Sequence, residues 1–142
     1  MKKRITIAAM LLSMTVLLNS CGVMFGGSKY NATIIAKGHP NAEIFIDGKK
    51  MGTGQATALL PRSKALTVEL KESGCETKTQ TFKKALRTGN LILSAFSWGL
   101  LGVFVDLATG ASFKPDHRGN SSIQKVSTKD FTFTVDGPNC TK

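Results

Sequence analysis

Ala42-Glu43-Ile44-Phe45-Ile46-Asp47-Gly48-Lys49-Lys50-Met51-Gly52-Thr53-Gly54 is the stretch that decides the fold. A short apolar run ends on Asp47-Gly48, and both residues tolerate positive φ, so a tight hairpin is expected there. Upstream, residues 30–37 read as a strand closed by the turn formers Gly38-His39-Pro40-Asn41. Downstream, residues 57–60, 65–71 and 77–82 supply three further short strands. In the middle one Leu66, Val68 and Leu70 alternate with Thr67, Glu69 and Lys71, which makes one face buried and the other wet. Residues 123–126 and the cleanly alternating 131–135 bring the chain back to the sheet. The pattern implies a mainly β domain with a helical insertion (α+β), its strands joined by hairpin turns as antiparallel neighbours and its sheet closed by the last strands. Gly52-x-Gly54 invites a phosphate-loop reading, but no Gly-Lys-Ser/Thr follows and no helix starts there, so a turn needing backbone freedom is expected.

The chain of 142 residues is one domain's worth, which excludes a large multidomain enzyme. Apolar residues at 42% and charged residues at 20% are ordinary for a globular protein and unlike a disordered tail. With 8 Phe but one Trp and one Tyr, the core must come from Ile, Leu, Val and Phe.

The first four residues, Met1-Lys2-Lys3-Arg4, precede an uncharged apolar run over 5–18 and then Asn19-Ser20-Cys21, the architecture of an export signal. Leu18-Asn19-Ser20-Cys21 resembles the lipobox of bacterial lipoproteins, with Asn19 where Ala, Ser or Val is commoner. That resemblance implies cleavage before Cys21 and acylation of Cys21; two or three acyl chains give the stable anchoring that one chain does not. Residues 1–20 are thus read as a signal peptide, 21–29 as a lipidated Gly-rich tether and 30–142 as the folded domain. Gly22 in place of an acidic residue implies the outer membrane, palmitate-type anchoring included.

The formal charge of +10 loses Lys2, Lys3 and Arg4 with the signal, leaving a basic surface spread from Lys29 to Lys142 without a long run. No basic stretch is flanked by aromatics, and an exported chain does not meet the genome, so nucleic acid is not an expected partner. The expected partners are the membrane, through the lipid anchor, and an anionic envelope polymer or an envelope protein.

Once Cys21 is assigned to lipid, Cys75 and Cys140 form an even pair in an exported chain and are expected to make a disulfide. His39 and His117 lie far apart in sequence and no Cys-x-x-Cys occurs, so neither a metal site nor a redox-active pair is expected.

The residues Pro40, Asn41, Ala42, Ile44, Ile46, Asp47, Gly48 and Gly52 resemble the hallmark of PEGA-type domains, small β-sandwich modules of bacterial surface proteins and lipoproteins. The similarity covers residues 34–79, with Gly54-Gln55-Ala56 and Pro61-Arg62-Ser63-Lys64 departing from the family pattern. It implies a binding or spacer module and brings no catalytic residues.

Residues 88–105 hold no charge between Arg87 and Asp106, just the length at which a transmembrane helix must be considered. Asn90, Ser94, Ser97, Gly99 and Gly102 dilute the apolarity. The pattern Gly102-x-x-x-Asp106-x-x-Thr109-Gly110-Ala111-x-Phe113-Lys114 is similar to one in small lipoproteins with PEGA-like domains. Gly99 and Gly102 suit close helix packing, Gly110 suits a helix end, and Asp106 with Thr109 suits hydrogen bonding to a neighbouring turn. A packed helix or helical hairpin inserted at 88–113, covering the sheet or touching a membrane, is expected. No Ser/His/Asp set or carboxylate pair stands out, so no catalytic residue and no cofactor is assigned. The functional expectation is a non-enzymatic envelope lipoprotein with a binding or bracing β domain; the alternative is a membrane-active lipoprotein whose 88–105 segment inserts in a bilayer, as in an exclusion factor, pore component or complex subunit.

Overall fold

The computed structural model describes residues 27–140; the signal segment, Cys21 and most of the tether lie outside the described residues. Ten strands and one broken helix follow in order: β1 (Lys29–Lys37), β2 (Glu43–Ile46), β3 (Lys49–Thr53), β4 (Gln55–Pro61), β5 (Leu66–Lys71), β6 (Lys78–Phe82), β7 (Lys84–Leu86), α1 (Thr88–Thr109), β8 (Phe113–Pro115), β9 (Ile123–Lys125) and β10 (Asp130–Asp136). The protein is mainly β with a helical insertion, as its alternating apolar pattern implies.

Asp47 (φ 49°) and Gly48 (φ 80°) both sit at positive φ between β2 and β3, the backbone that a two-residue hairpin turn requires. Ile46 then pairs with Lys49 across the turn. Eight strands make one sheet in the order β6-β5-β2-β3-β4-β1-β10-β9. Its alternation is strict where burial is deepest: Tyr30, Ala32, Ile34 and Ala36 of β1, Leu66, Val68 and Leu70 of β5, and Phe131, Phe133 and Val135 of β10 all face inward. The sheet curls on itself, so that Phe82 on edge strand β6 packs on Phe133 near the other edge, ring centroids 5.0 Å apart. Small residues on β4 and β1 (Ala56, Ala58, Ala32) leave room for these rings.

Two features differ from the sequence expectation. The arrangement is not wholly antiparallel: β10 runs parallel to β1, Asn31 through Lys37 pairing with Asp130 through Asp136. A parallel neighbour needs a long connection, and everything between β1 and β10 supplies it. The insertion is also framed by two short strands that periodicity did not reveal. β7 and β8 pair as a separate two-stranded ribbon, Leu86 opposite Phe113 and Lys84 opposite Pro115, at three residues each too short to show alternation.

Cys75 and Cys140 lie at disulfide distance, close a separation of 65 residues and also form an isolated β-bridge. The chain-entropy argument gives such a loop roughly 4 kcal/mol of stabilisation. This crosslink joins the segment after β5 to the segment after β10, tying down the last strand.

Candidate functional site

The element α1 spans 22 residues, about 33 Å if straight. Its two ends nevertheless meet: the Arg87 N–H donates to the Ser112 carbonyl at 2.7 Å. The turn is at Gly99, whose φ of 60° and ψ of −149° break the helix. That region is open essentially to glycine alone. The element is therefore a helical hairpin with arms 88–98 and 100–109, each about 15 Å long.

Between the arms lies a polar contact. Ser94 on the first arm donates its hydroxyl hydrogen to Asp106 Oδ2 on the second, and both residues are fully buried. Gly102 and Gly110, four residues to either side of Asp106, are buried on the same stripe. Thr109 Oγ1 donates back to the Val105 carbonyl at 2.8 Å, and the Ser112 N–H donates to the Asp106 carbonyl at 3.2 Å. Gly110 (φ 80°) ends the second arm in the left-handed conformation, where a Cβ would stand 2.8 Å from Ser63. Ser94, Gly102, Asp106 and Gly110 thus face inward, the reverse of a soluble helical hairpin with an apolar seam.

Several large apolar residues face out. Phe96 is 89% exposed, Leu100 79%, Leu101 78% and Phe104 68%, with Ile92 and Leu93 more than half exposed beside them. None of the described side chains of residues 88–109 belongs to the core cluster of the sheet. No helix among the described residues is long and apolar enough to cross a membrane, because the turn at Gly99 halves the apolar run.

At the hairpin root the charge changes character. Arg87, Lys114, Arg118 and Lys125 line a cleft of about 170 Å³, together with Thr88, Gly89, Thr128 and Phe131, and none of these described lining residues is acidic. Burial pushes the Lys114 ammonium below the usual lysine range, and the charges of Arg118, Lys125 and Arg87 push it further down, against Asp116. Arg87 is likewise lowered, first by burial, with Asp106 opposing. Within the basic surface that the sequence implies, strand pairing gathers beside Arg87 three cations that lie 27 to 38 residues from it in sequence. The legible signal was Arg87 and Lys114 flanking the apolar stretch on both sides.

Beneath the root is Arg62, 1% exposed, which the sequence reading did not single out. Its Nε–H donates to the Lys29 carbonyl (3.2 Å), and its terminal nitrogens donate to Thr128 (2.7 Å) and, at 3.5 Å, to Phe113. The guanidinium lies 5.7 Å from the centroid of the Tyr30 ring and 6.0 Å from that of Phe131. Burial, and then the charge of Arg87, lower it to about 10. One side chain therefore joins β1, the ribbon and the loop before β10. Lys84 adds a bond of 2.5 Å to the Ser63 carbonyl and sits over Phe113.

The remaining motif residues belong to the sheet. Asp47 and Gly48 turn the chain, and Gly52 passes so close to β4 that a Cβ would lie 3.0 Å from the Gln55 carbonyl. Gly54 uses its backbone within the sheet, its N–H donating to the Ala42 carbonyl and its carbonyl accepting from Ala36, so the phosphate-loop pattern is a turn. His39 Nδ1 lies 2.5 Å from Glu72 Oε2 and near Cys140 Sγ. With that sulfur in the disulfide, the grouping offers only two free donors. Cys21 falls outside the described residues. Comparison of the chain with known protein families, with curated proteins and with solved structures finds no match.

Proposed function

We propose that the protein is a non-enzymatic lipoprotein of the bacterial envelope, anchored through acylated Cys21, whose hairpin dips its apolar tip into one leaflet of the bilayer. The observation that carries this reading is the inverted hairpin, with Ser94, Gly102 and Asp106 inside and Phe96, Leu100, Leu101 and Phe104 in solvent. Arms of about 15 Å match half of a hydrocarbon core about 30 Å thick. Each of the four tip residues contributes about 1.5–3 kcal/mol when moved from water into an apolar phase. The β domain, PEGA-like by resemblance, then serves as a binding or bracing module held close to the membrane surface by two attachments. The signal architecture and Gly22 favour the outer membrane.

The test replaces residues 1–21 with a cleavable signal that carries no lipobox and follows the unacylated chain through an alkaline carbonate wash. Retention with the membrane fraction, abolished by Leu100→Ser with Leu101→Ser, is the expected result. Release of the unsubstituted chain into the soluble fraction overturns leaflet insertion and leaves Cys21 as the sole anchor.

A further inference from the structure

The cleft at the hairpin root has a chemistry that leaflet insertion alone does not use. Four cations from four places along the chain converge there: Arg87 enters from the start of the hairpin, Lys114 from β8, Arg118 from the loop after it and Lys125 from β9. Like charges gathered around a half-buried lysine repel one another; Asp116 offsets them only in part, and none of the described lining residues is acidic. An anion in the cleft would relieve that repulsion and accept hydrogen bonds from two guanidinium groups, the geometry suited to phosphate oxygens. The position is equally specific. Arg87 directly precedes the first arm and Lys114 follows the second by five residues, so the cleft lies about one arm's length, roughly 15 Å, from the apolar tip. With the tip near the middle of the bilayer, that distance puts the cleft at the depth of the lipid phosphates.

We infer that the cleft formed by Arg87, Lys114, Arg118 and Lys125 binds the phosphate of an anionic lipid whose acyl chains lie beside the hairpin. The inference rests on leaflet insertion, and it names the lipid class that the inserted protein selects. Arg87 is held in place by its backbone bond to Ser112 and by its Nη1 bond to the Ala111 carbonyl (3.4 Å), so it supplies a fixed edge of the site. Arg118 and Lys125 are exposed and free of the core, and they close on the headgroup.

The test uses the unacylated chain and two kinds of vesicle, phosphatidylcholine alone and phosphatidylcholine containing phosphatidylglycerol, with co-sedimentation as readout. The variants are Arg118→Gln with Lys125→Gln, and a control pair of equal charge from the sheet, Lys37→Gln with Lys49→Gln. All four residues are exposed, and circular dichroism verifies that both variants fold. The expected result is that the root pair loses about 25-fold in affinity for the anionic vesicles, from about fivefold per cation, while the control pair loses less than about threefold. Binding to phosphatidylcholine alone stays unchanged in both variants, because the tip still inserts. Equal losses in the two variants would overturn the site in favour of diffuse surface charge, with the hairpin reading intact. Saturable binding of inorganic phosphate in calorimetry as tight as that of the anionic vesicles would overturn the lipid assignment. Failure of the unsubstituted chain to bind either vesicle sinks leaflet insertion itself, and the inference with it.

Discussion

Ser94 donates a hydrogen bond to Asp106 across the two arms of the hairpin, twelve residues apart in sequence and both fully buried. The contact explains how a hairpin with its apolar residues outside keeps its shape in water. Its interior bond is polar and directional, and Gly102, one turn before Asp106, is buried on the same face. Removing the Ser94 hydroxyl leaves a buried acceptor one donor short, at a cost of about 1–3 kcal/mol. Because the described hairpin side chains lie outside the core cluster of the sheet, Ser94→Ala and Asp106→Ala are expected to open it locally. Limited proteolysis should cut faster within residues 88–109 while the melting of the sheet moves little; unchanged cleavage would refute the pairing.

Gly99 makes the turn at a backbone conformation that a side chain resists. Gly99→Val should cost about 1–3 kcal/mol of hairpin stability, seen as faster amide exchange in both arms. Gly110→Ala adds to positive φ a contact at 2.8 Å with Ser63, so it should also loosen the root against the β4–β5 turn. Exchange rates equal to those of the unsubstituted chain would show that the turn tolerates a Cβ.

Arg62 satisfies carbonyls of three segments from a buried position. Arg62→Met fills the volume but leaves the Lys29 and Thr128 carbonyls without their donor, and urea denaturation should register a loss of roughly 2–4 kcal/mol. Arg62→Lys should fall short of full rescue, since one ammonium does not span the fork of the guanidinium.

Tyr30 is the one tyrosine of the chain, so phenolate absorbance reports it alone. Burial raises its hydroxyl to about 12, with the Arg62 charge opposing and the Asp47 charge assisting. The folded chain therefore keeps the phenol proton between pH 10 and about 12 while the unfolded chain has lost it, and this group's stabilisation drains away as pH rises through that interval. Arg62, lowered to about 10 from the usual guanidinium range, works in the opposite sense over the same range, which is why the absorbance titration is preferred to a melting curve. A phenolate midpoint near 10 in the folded protein would contradict the burial of Tyr30.

Much of the sheet was legible because its physics is local. The alternation of Leu66, Val68 and Leu70, and of Phe131, Phe133 and Val135, states which face is buried, and the strand bounds differ from those expected by a residue or two. β7 and β8 were not legible, because three residues show no period and their pairing depends on the hairpin that brings them together. The cleft was hidden for the same reason. Its cations are unremarkable in sequence and become a site only when the ribbon and the β9–β10 pair bring them to one place.

By itself, then, the sequence determined a β domain with an apolar insertion, the Asp47-Gly48 turn and the pairing expected of Cys75 with Cys140, since turn chemistry, two-residue periodicity and thiol count are properties of short stretches or of composition. Only the tertiary structure decided that β10 joins β1 in parallel, that the insertion folds back at Gly99 with its apolar side outward, and that Arg87, Lys114, Arg118 and Lys125 share one cleft. Those outcomes depend on which distant segments meet, and that is set by how the whole chain buries its apolar surface.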